Sequence, residues 1–375
     1  MSESSQTGPV AVYGATGYTG RLVAAELGRR GADFVLSGRD HRKLRELSGS
    51  LGGAPFVAVG LDETGGLRKL LEPCAAVIAC AGPFVRHGEP VLAAAAETGT
   101  HYLDTTGEQV FMRRVFDCYG EAARSSGACL VTAMGFDYVP GDMIASLTAQ
   151  GMGPLEEVVL AYSVHGMRAT RGTTLSAIGM ISGGDLAYTD GALRPAPQGV
   201  DRGSFDFGPP VGVRRMVRYP AGEPVTVPLH VPTRNVSTML SAGTVAPSWM
   251  APALPVAVPV FAAAMRTPLR RAAESLVDRL PEGPEPSRRR AARWVVACEA
   301  RARGARRRGT VRGSDVYGLT AATTVEGALR MATPGFGQSG ALAPSQAFEP
   351  ADFLASLNSP GVEVEVEPLS APAVS

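Results

Sequence analysis

The chain has 375 residues and a formal net charge of +1, from 36 basic and 35 acidic side chains. A balance this close to zero gives no electrostatic reason to expect nucleic acid or a membrane surface as a partner. Glycine and proline make up about a fifth of the residues, short of the fraction typical of disordered chains, and the length predicts two globular domains.

A glycine-rich turn follows the first apolar segment. Residues 10–13 form a short apolar run that predicts a strand, and a helical pattern opens at residue 22. Glycine between strand and helix lets backbone N–H groups approach a pyrophosphate, and a helix N-terminus favours negative charge. We therefore expect a dinucleotide-binding turn made of Gly14, Thr16, Gly17, Tyr18, Thr19 and Gly20.

The end of the second predicted strand indicates which dinucleotide binds. After the apolar run 34–36, residues 37–40 read Ser-Gly-Arg-Asp. An NAD site expects an acidic residue here for the ribose, whereas an arginine suits the 2′-phosphate of NADP. We therefore predict NADP(H), with Ser37 and Arg39 on the phosphate. Asp40 either caps the next helix, which we favour, or contacts a ribose.

Two further predicted strands supply more cofactor contacts, because ligands of parallel sheets lie at the carboxyl ends of the strands. The run 56–59 precedes Asp62, which either reaches the adenine edge or serves as a turn or cap. The run 75–80 precedes a small-residue turn whose backbone can approach the nicotinamide ribose, with a plain turn as the alternative. That turn consists of Ala81, Gly82 and Pro83.

Polar residues follow the last two strands of this half, at 101–103 and 129–132. Chemistry beside a nicotinamide requires an oriented acceptor carbon and a group that handles one proton. Asp104 and Asp137 have a second interpretation, as acceptors for neighbouring backbone N–H groups. The candidate catalytic residues are Tyr102, Asp104, Asp137 and Tyr138.

The succession GATGYTG, SGR, ACAGPF, HGEPV, HYLDTTGE and GFDYVPGD resembles the saccharopine dehydrogenase-like oxidoreductases, in particular their trans-acting enoyl reductase branch. The resemblance covers nearly all of the first 150 residues and continues more weakly at 172–174 and 317–321. It implies an α/β fold with an N-terminal Rossmann domain built on a parallel sheet and a second α+β domain built on a mixed sheet. It also implies a C-terminal helix that returns to the first domain, and NADPH-dependent reduction of an open range of substrates.

The second half carries long strand patterns that fit a separate sheet, which would close over the cofactor and build a homodimer interface. Residues 190–210, rich in glycine and proline, predict a loop that serves as a lid. A helix is predicted over 173–181, and strands over 157–165, 211–219, 224–231 and 293–301.

The predicted organisation follows from these patterns. A flexible N-terminus (1–8) precedes the NADP-binding Rossmann domain (9–150), which is followed by a substrate and dimerisation domain (151–315). A C-terminal segment (316–367) packs back on the Rossmann domain, and a flexible tail (368–375) ends the chain. The N-terminus lacks the basic and apolar regions of a secretory signal, so a cytoplasmic location is predicted.

One apolar segment, residues 245–265, is long enough to be considered as a membrane-spanning helix. It is nearly free of charge, but four prolines interrupt it, which argues against a spanning helix. The segment is instead expected to line a substrate tunnel or a subunit interface, and both interpretations stay open.

Ten arginines fall between Arg288 and Arg312. An enoyl reductase acting in trans must meet an acyl carrier protein, and such carriers are typically acidic, so the resemblance implies a docking surface here. The alternative is a solvated strand hairpin. Few aromatic residues interleave with this charge, so no nucleic-acid site is predicted. The five cysteines form no CxxC pair and the histidines are scattered, so no metal site is predicted either.

Three functional hypotheses follow. The first, which we favour, is NADPH-dependent reduction of a C=C bond in a polyketide or lipid-type intermediate, free or bound to a carrier protein. The second is reduction of an imine or carbonyl group in secondary metabolism. The third is a non-redox protein of the same fold that retains NADP, an interpretation that stays open because no proton donor stands out in the sequence.

Overall fold

The computed structural model describes residues 8–183, 185–196, 203–245, 260–261, 263–265, 267, 269–277, 279–357 and 361–369. The chain divides into two compact units. The first comprises residues up to 139 and residues 317–348, and the second comprises residues 140–316 and those from 349 onward. The segment predicted over 316–367 is thus divided between the two units, and the predicted loose ends lie mostly outside the described residues.

The first unit is built on a parallel sheet. Its strand order is β15-β6-β5-β4-β1-β2-β3, and every neighbouring pair is parallel. The innermost strands are buried at each position, as expected for a sheet with helices on both faces. The strands are β1 (Val10–Tyr13), β2 (Phe34–Gly38), β3 (Phe56–Ala58), β4 (Ala76–Ala79), β5 (His101–Asp104), β6 (Cys129–Val131) and β15 (Gly340–Leu342).

Helices connect these strands. In the first of them, Gly20, Val23, Ala24 and Leu27 are buried at the three- and four-residue spacing of one helix face. The helices are α1 (Tyr18–Arg29), α2 (His41–Ser50), α3 (Thr64–Leu71), α4 (Phe84–His87), α5 (Glu89–Thr98), α6 (Gln109–Arg114), α7 (Gly120–Ser126), and, later in the chain, α14 (Val316–Met331) and α15 (Pro344–Ala347). A π-helical turn, Val115–Tyr119, joins α6 to α7.

The strand order of this sheet reverses between β1 and β4. The chain moves outward from β1 through β2 to β3, then returns to the other side of β1 at β4 and continues to β5 and β6. A reversal of this kind leaves a crevice at the carboxyl ends of the two central strands, where dinucleotides bind. The residues after Tyr13 and after Ala79 therefore border the expected cofactor site.

The second unit is built on a mixed sheet. Its main order is β10-β11-β12-β7-β13-β14-β16, with β8 paired to β12 and β9 paired to β8. Strands β7 and β12 are parallel, and the other described pairs are antiparallel. The predicted fold class, a Rossmann domain plus an α+β domain on a mixed sheet, is thereby confirmed. The strands are β7 (Glu157–His165), β8 (Leu186–Thr189), β9 (Ala192–Pro195), β10 (Ser204–Asp206), β11 (Val213–Arg218), β12 (Val236–Ser241), β13 (Arg293–Ala302), β14 (Ala305–Ser314) and β16 (Glu363–Val366).

Helices of this part of the chain are α8 (Val139–Ala149), α9 (Arg171–Gly183), α10 (Glu223–Thr226), α11 (Ala242–Val245), α12 (Leu269–Val277), α13 (Pro286–Ala291) and α16 (Pro350–Ser356). The α8 helix packs closely on one face of the sheet. A Cβ atom added to Gly309 of β14 would lie 2.9 Å from Ile144 Cδ1, so the glycine permits this approach.

The strand predicted over 224–231 is wrong. The chain there forms α10 followed by a 3₁₀ turn, Val227–Leu229. The valines of this stretch favour a strand, but Pro224 and Pro228 cannot donate to a ladder of hydrogen bonds. Proline in the first turn of a helix leaves no intrahelical bond unmade, so the helical alternative prevails.

The loop predicted over 190–210 is wrong in part. Strand β9 and strand β10 lie within it, and residues 197–202 lie outside the described residues. Thr189 pairs with Ala192, so Asp190 and Gly191 form a two-residue hairpin turn. Both have positive φ, 51° and 74°, the geometry that an Asp-Gly pair favours.

Little of the apolar segment 245–265 can be assigned. Residues 246–259, which include its four prolines, lie outside the described residues. Met265 is buried and packs in a small cluster with Ile178 and Val277. Among the described parts of the chain, no helix combines the length and apolar character that crossing a membrane requires.

Candidate functional site

The turn after β1 brings the backbone of three strands together. Gly14 has φ +79°, and the N–H groups of Gly14 and Ala15 both donate to the Ser37 carbonyl of β2, at 2.9 and 3.1 Å. A Cβ atom on Gly14 would lie only 2.9 Å from the backbone nitrogen of Ala81, which follows β4. Glycine is therefore required here both by the backbone angle and by the close approach.

Gly20 allows α1 to start directly over this turn. A Cβ atom on Gly20 would overlap the Gly14 carbonyl oxygen and lie 2.8 Å from Ala15 Cα. The Gly17 N–H donates to Gly14 O at 3.1 Å. The N-cap residue of α1 is Gly17, which has no side chain to cap the helix, and the first turn holds no acidic residue. An uncapped helix N-terminus with its N–H groups at the mouth of a glycine turn fits a pyrophosphate.

The remaining predicted residues of the turn lie around this N-terminus. Thr16, Tyr18 and Thr19 are half-buried. The Thr16 carbonyl accepts a hydrogen bond from the Arg21 guanidinium at 2.5 Å. The Tyr18 ring meets the ring of Tyr317 edge-on, with centroids 5.4 Å apart, so the start of α14 borders the phosphate turn.

The end of β2 separates the two residues predicted to hold the 2′-phosphate. Ser37 is fully buried, and its hydroxyl donates to Val57 O at 2.9 Å, so this side chain is committed to the neighbouring strand. Arg39 is exposed and forms none of the hydrogen bonds or ion pairs found among the described residues. The Asp40 carboxylate accepts from the Lys43 N–H at 3.1 Å and caps α2, which confirms the favoured interpretation of Asp40.

Two charged groups border this part of the site. Burial raises the pKa of Tyr13 to about 12, while the positive charge of Arg39 acts in the opposite direction. The Tyr13 hydroxyl donates to Val59 O at 3.2 Å. Asp62 is exposed after β3. Its charge also raises the pKa of Tyr13.

The turn after β4 is held by a carboxylate that the sequence reasoning did not single out. Ala81 and Pro83 are half-buried and Gly82 is exposed. The buried Glu108 accepts from the N–H of Phe84 at 2.9 Å through one oxygen and from that of Val85 at 3.0 Å through the other. Glu108 thus fixes the start of α4 and with it the predicted nicotinamide wall. Its place in the motif HYLDTTGE was the available signal.

Asp104 ties the end of β5 to the end of β6. It is fully buried, and its Oδ1 accepts from the N–H groups of Thr106 and Ala133, both at 2.9 Å. Its Oδ2 accepts from the Thr132 hydroxyl at 2.9 Å. Burial raises the pKa of Asp104 to about 6 against the opposing effect of these hydrogen bonds. These contacts match the alternative role, acceptor of neighbouring N–H groups, and they hold Ala133 at φ +62°.

The other three catalytic candidates differ in accessibility. Tyr102 is fully buried in β5, and its pKa is raised by burial and by the nearby Asp104 charge. Tyr138 is fully buried and donates through its hydroxyl to Gly107 O at 2.6 Å. Asp137 is half-buried. Of the four, Asp137 is the residue that is not fully buried.

Helix α14 supports the loop after β6 from within the same unit. The Thr320 hydroxyl accepts from the Phe136 N–H at 3.0 Å, and the Thr323 hydroxyl donates to Met134 O at 2.6 Å. These threonines were not predicted as functional. The weak motif match at residues 317–321 was the only signal in the sequence, and the long separation from residue 136 hid the contact.

The second unit contains a buried polar cluster that was also missed. His230 Nε2 lies 2.9 Å from Asp142 Oδ1, and the Tyr162 hydroxyl bonds to a Glu223 carboxylate oxygen. Asp142 and Glu223 are fully buried. A Cβ atom on Gly141 would overlap the Tyr162 hydroxyl and a Glu223 carboxylate oxygen, so glycine at this helix position leaves room for the pair.

The arginines predicted to form a docking surface are largely engaged within the second unit. Arg301 and Arg306 share the Glu299 carboxylate, at 3.0 and 2.7 Å, across the β13–β14 hairpin. Arg307 donates to Gln150 O at 2.7 Å. The Arg308 guanidinium lies 5.2 Å from the centre of the Phe205 ring. These contacts match the alternative interpretation, a hairpin with paired charges.

Within the described ranges, no group of three or more His, Cys, Asp and Glu side chains has a geometry suited to a metal ion. All five cysteines are free thiols.

Comparison with known proteins identifies the first unit further. Residues 10–130 match the family model described as the saccharopine dehydrogenase NADP binding domain. A trans-acting enoyl reductase of Mycobacterium ulcerans is 31% identical over 207 residues, which cover 52% of this chain and 47% of that protein. A putative trans-acting enoyl reductase of Mycobacterium tuberculosis is 37% identical over 149 residues, which cover 38% of this chain and 36% of that protein. The chain thus spans about half the length of these relatives or less.

A solved structure shares the fold of the chain. Saccharopine dehydrogenase (L-Glu forming) from Saccharomyces cerevisiae aligns with a TM-score of 0.61 over 96% of this chain and 100% of that one, at 11% identity. At this identity the likeness concerns the fold alone.

The strand order and the glycine turn define a dinucleotide-binding Rossmann domain. The match over residues 10–130 identifies it as an NADP-binding domain of the saccharopine dehydrogenase type, and NADP(H) is its cofactor. The resemblance seen in the sequence motifs is thereby confirmed.

Proposed function

We propose that the protein is an NADPH-dependent reductase that acts on a C=C bond of a polyketide or lipid-type intermediate. The observation that carries the proposal is the cradle at the strand reversal, where Gly14, Gly17 and Gly20 surround an uncapped helix N-terminus. The similarity of this chain to proteins named trans-acting enoyl reductase supports the choice of a C=C bond.

In this proposal the N–H groups at the start of α1 bind the pyrophosphate. Arg39, which has no partner among the described residues, pairs with the 2′-phosphate, and Asp62 lies toward the adenosine. Ala81 and Gly82 border the nicotinamide ribose, and Glu108 holds their turn in place. NADPH, when bound, supplies a hydride to one carbon of the double bond, so the chain must orient that carbon and provide a proton for its neighbour.

Proton delivery falls to a water molecule that donates a hydrogen bond to Asp137 and draws its proton from solvent. Tyr138 donates its hydroxyl hydrogen to a backbone carbonyl, and Tyr102 and Asp104 are fully buried. Asp104 is then a positioning residue, which holds the ends of β5 and β6 at a fixed spacing beside the nicotinamide. Hydride addition to the β-carbon of a conjugated thioester leaves an enolate, whose α-carbon takes a proton from an acid as weak as water.

We place the protein in the cytoplasm, because NADPH is abundant there and the five free thiols suit a reducing compartment. We also propose a homodimer built by the second unit. Docking of an acyl carrier protein would use the exposed Arg288, Arg290 and Arg303, which form no ion pair with the described carboxylates.

The test is NADPH oxidation followed at 340 nm with three probes: a 2-octenoyl thioester, an aliphatic ketone and a cyclic imine. The proposal predicts turnover of the thioester at a rate at least tenfold above that of the other two. Asp137→Asn should slow thioester turnover and leave NADPH affinity unchanged. Faster turnover of the imine or ketone would replace C=C reduction by the second hypothesis, and NADPH binding without any turnover would favour the third.

A further inference from the structure

A cavity of about 800 Å³ opens on one face of the second unit's sheet. Its floor includes Ser163, Val295, Arg312 and Glu363, which lie opposite one another on the consecutive strands β7, β13, β14 and β16. Successive residues of a strand point to opposite faces. Gly309, three positions before Arg312, faces α8, so the cavity lies on the face away from α8.

The lining of this cavity carries an excess of positive charge. Three guanidinium groups, those of Arg214, Arg293 and Arg312, line it together with one carboxylate, that of Glu363. Arg312 lies 3.8 Å from Glu363 and 3.2 Å from the neighbouring Glu365. The two other arginines bond only to neutral carbonyl groups of their own chain neighbours within the described residues. Their charges are therefore available to an anion.

The opposite wall of the cavity is apolar. It is formed by Phe207, Pro209, Pro210 and Val211, the segment between β10 and β11. Phe207 is buried and packs with Val295 of the floor in one core cluster, and Val211 packs against that cluster. The apolar wall is thus part of the core of this unit. A volume of several hundred Å³ with an apolar body and a few convergent charged groups is typical of small-molecule sites.

We propose that this cavity binds an anionic amphiphile, a single alkyl or acyl chain that ends in a phosphate or carboxylate group. Arg214 and Arg293 bind the head group, and the chain lies along Phe207, Val211 and Val295. The site is formed wholly by the second unit, so the proposal does not depend on the proposed reductase activity.

The test is calorimetric titration of the full chain with n-octyl phosphate and n-octanoate. Saturating NADP⁺ is present throughout, so that the dinucleotide site cannot take up the phosphate probe. We expect one molecule of each anion bound per chain. Three control compounds should bind at least tenfold more weakly. The neutral n-octanol and the cationic n-octyltrimethylammonium ion lack the anionic head group, and inorganic phosphate lacks the alkyl chain. Equal affinity for octanol and octyl phosphate would overturn the proposal, as would no binding of either anion.

Matched variants locate the site. Arg214→Glu should weaken octyl phosphate binding at least tenfold, and Arg293→Glu should do the same. Arg215→Glu is the control, because Arg215 is the next residue of β11, is exposed and does not line the cavity. It should change the affinity less than twofold. Equal losses at positions 214 and 215 would place any binding outside this cavity, and thermal unfolding would verify that each variant is folded.

Discussion

Replacing Arg39 by alanine tests the proposed pairing of its guanidinium with the 2′-phosphate of NADPH. The guanidinium is exposed and has no carboxylate partner among the described residues, so its removal breaks no hydrogen bond or ion pair found among them. The Asp40 cap of α2 and the backbone bonds at Ser37 remain in place. A hydrogen bond to a charged group contributes about 1.5–3 kcal/mol, so NADPH should bind roughly 10- to 150-fold more weakly.

The assay is a fluorescence titration of the wild type and of Arg39→Ala with NADPH and with NADH. NADH carries no 2′-phosphate, so its affinity should be nearly the same for both proteins. Arg45→Ala is the control, since Arg45 is exposed on α2 and forms no ion pair within the described chain. Equal losses for the two cofactors, or a loss for Arg45→Ala as large as for Arg39→Ala, would refute the reasoning.

Three further substitutions test the site. Gly20→Ala places a Cβ atom against the Gly14 carbonyl oxygen and should lower the free energy of unfolding, measured in urea, by about 2 kcal/mol. Its control is Gly17→Ala, which should leave this free energy nearly unchanged, because the added Cβ would lie 3.4 Å from Gly14 O. Asp104→Asn removes a carboxyl whose pKa is about 6 in the folded chain, above its value in the unfolded chain. The protonated carboxyl therefore stabilises the fold fully below about pH 4, and this contribution is lost as the pH rises through 6. Relative to the variant, the wild type should therefore lose about 3 kcal/mol of unfolding free energy over this range, and parallel pH profiles would contradict the assignment. Glu108→Gln should raise the KM for NADPH several-fold and cost about 1–2 kcal/mol in stability, because the amide oxygen keeps one of the two backbone hydrogen bonds and the NH₂ cannot accept the other; an unchanged KM would sink the positioning role.

The nucleotide domain was predictable because its signals are local. The β1 strand, the glycine turn and α1 follow one another within 20 residues, and Gly14 and Gly20 each have a steric reason that backbone geometry supplies. The Asp40 cap is equally local, since the bond spans three residues.

The sequence did not predict the direction of individual side chains or the contacts between residues far apart in the chain. Ser37 lies at the predicted position, but its hydroxyl bonds to Val57, and only the register of β2 against β3 decides that. The contact of Phe136 with Thr320 joins residues 184 positions apart. Tyr102 lies in a strand whose residues are all buried. Its burial does not support the predicted role beside the nicotinamide, which stays a prediction.

The errors in the second half share a physical cause. The prediction of a strand at 224–231 weighed the valines and not the two prolines, which remove the N–H groups that a strand requires. The loop prediction at 190–210 counted glycine as a loop signal, although Gly191 forms the two-residue turn of a hairpin together with Asp190.

Transfer of deuterium tests the central claim most directly. The protein is incubated with NADPH that carries deuterium at C4 and with a 2-octenoyl thioester, and the product is analysed by mass spectrometry. The proposed function predicts a saturated thioester with one deuterium at the β-carbon, and no label in a reaction without protein. Tight NADPH binding with no deuterium in any product would contradict it.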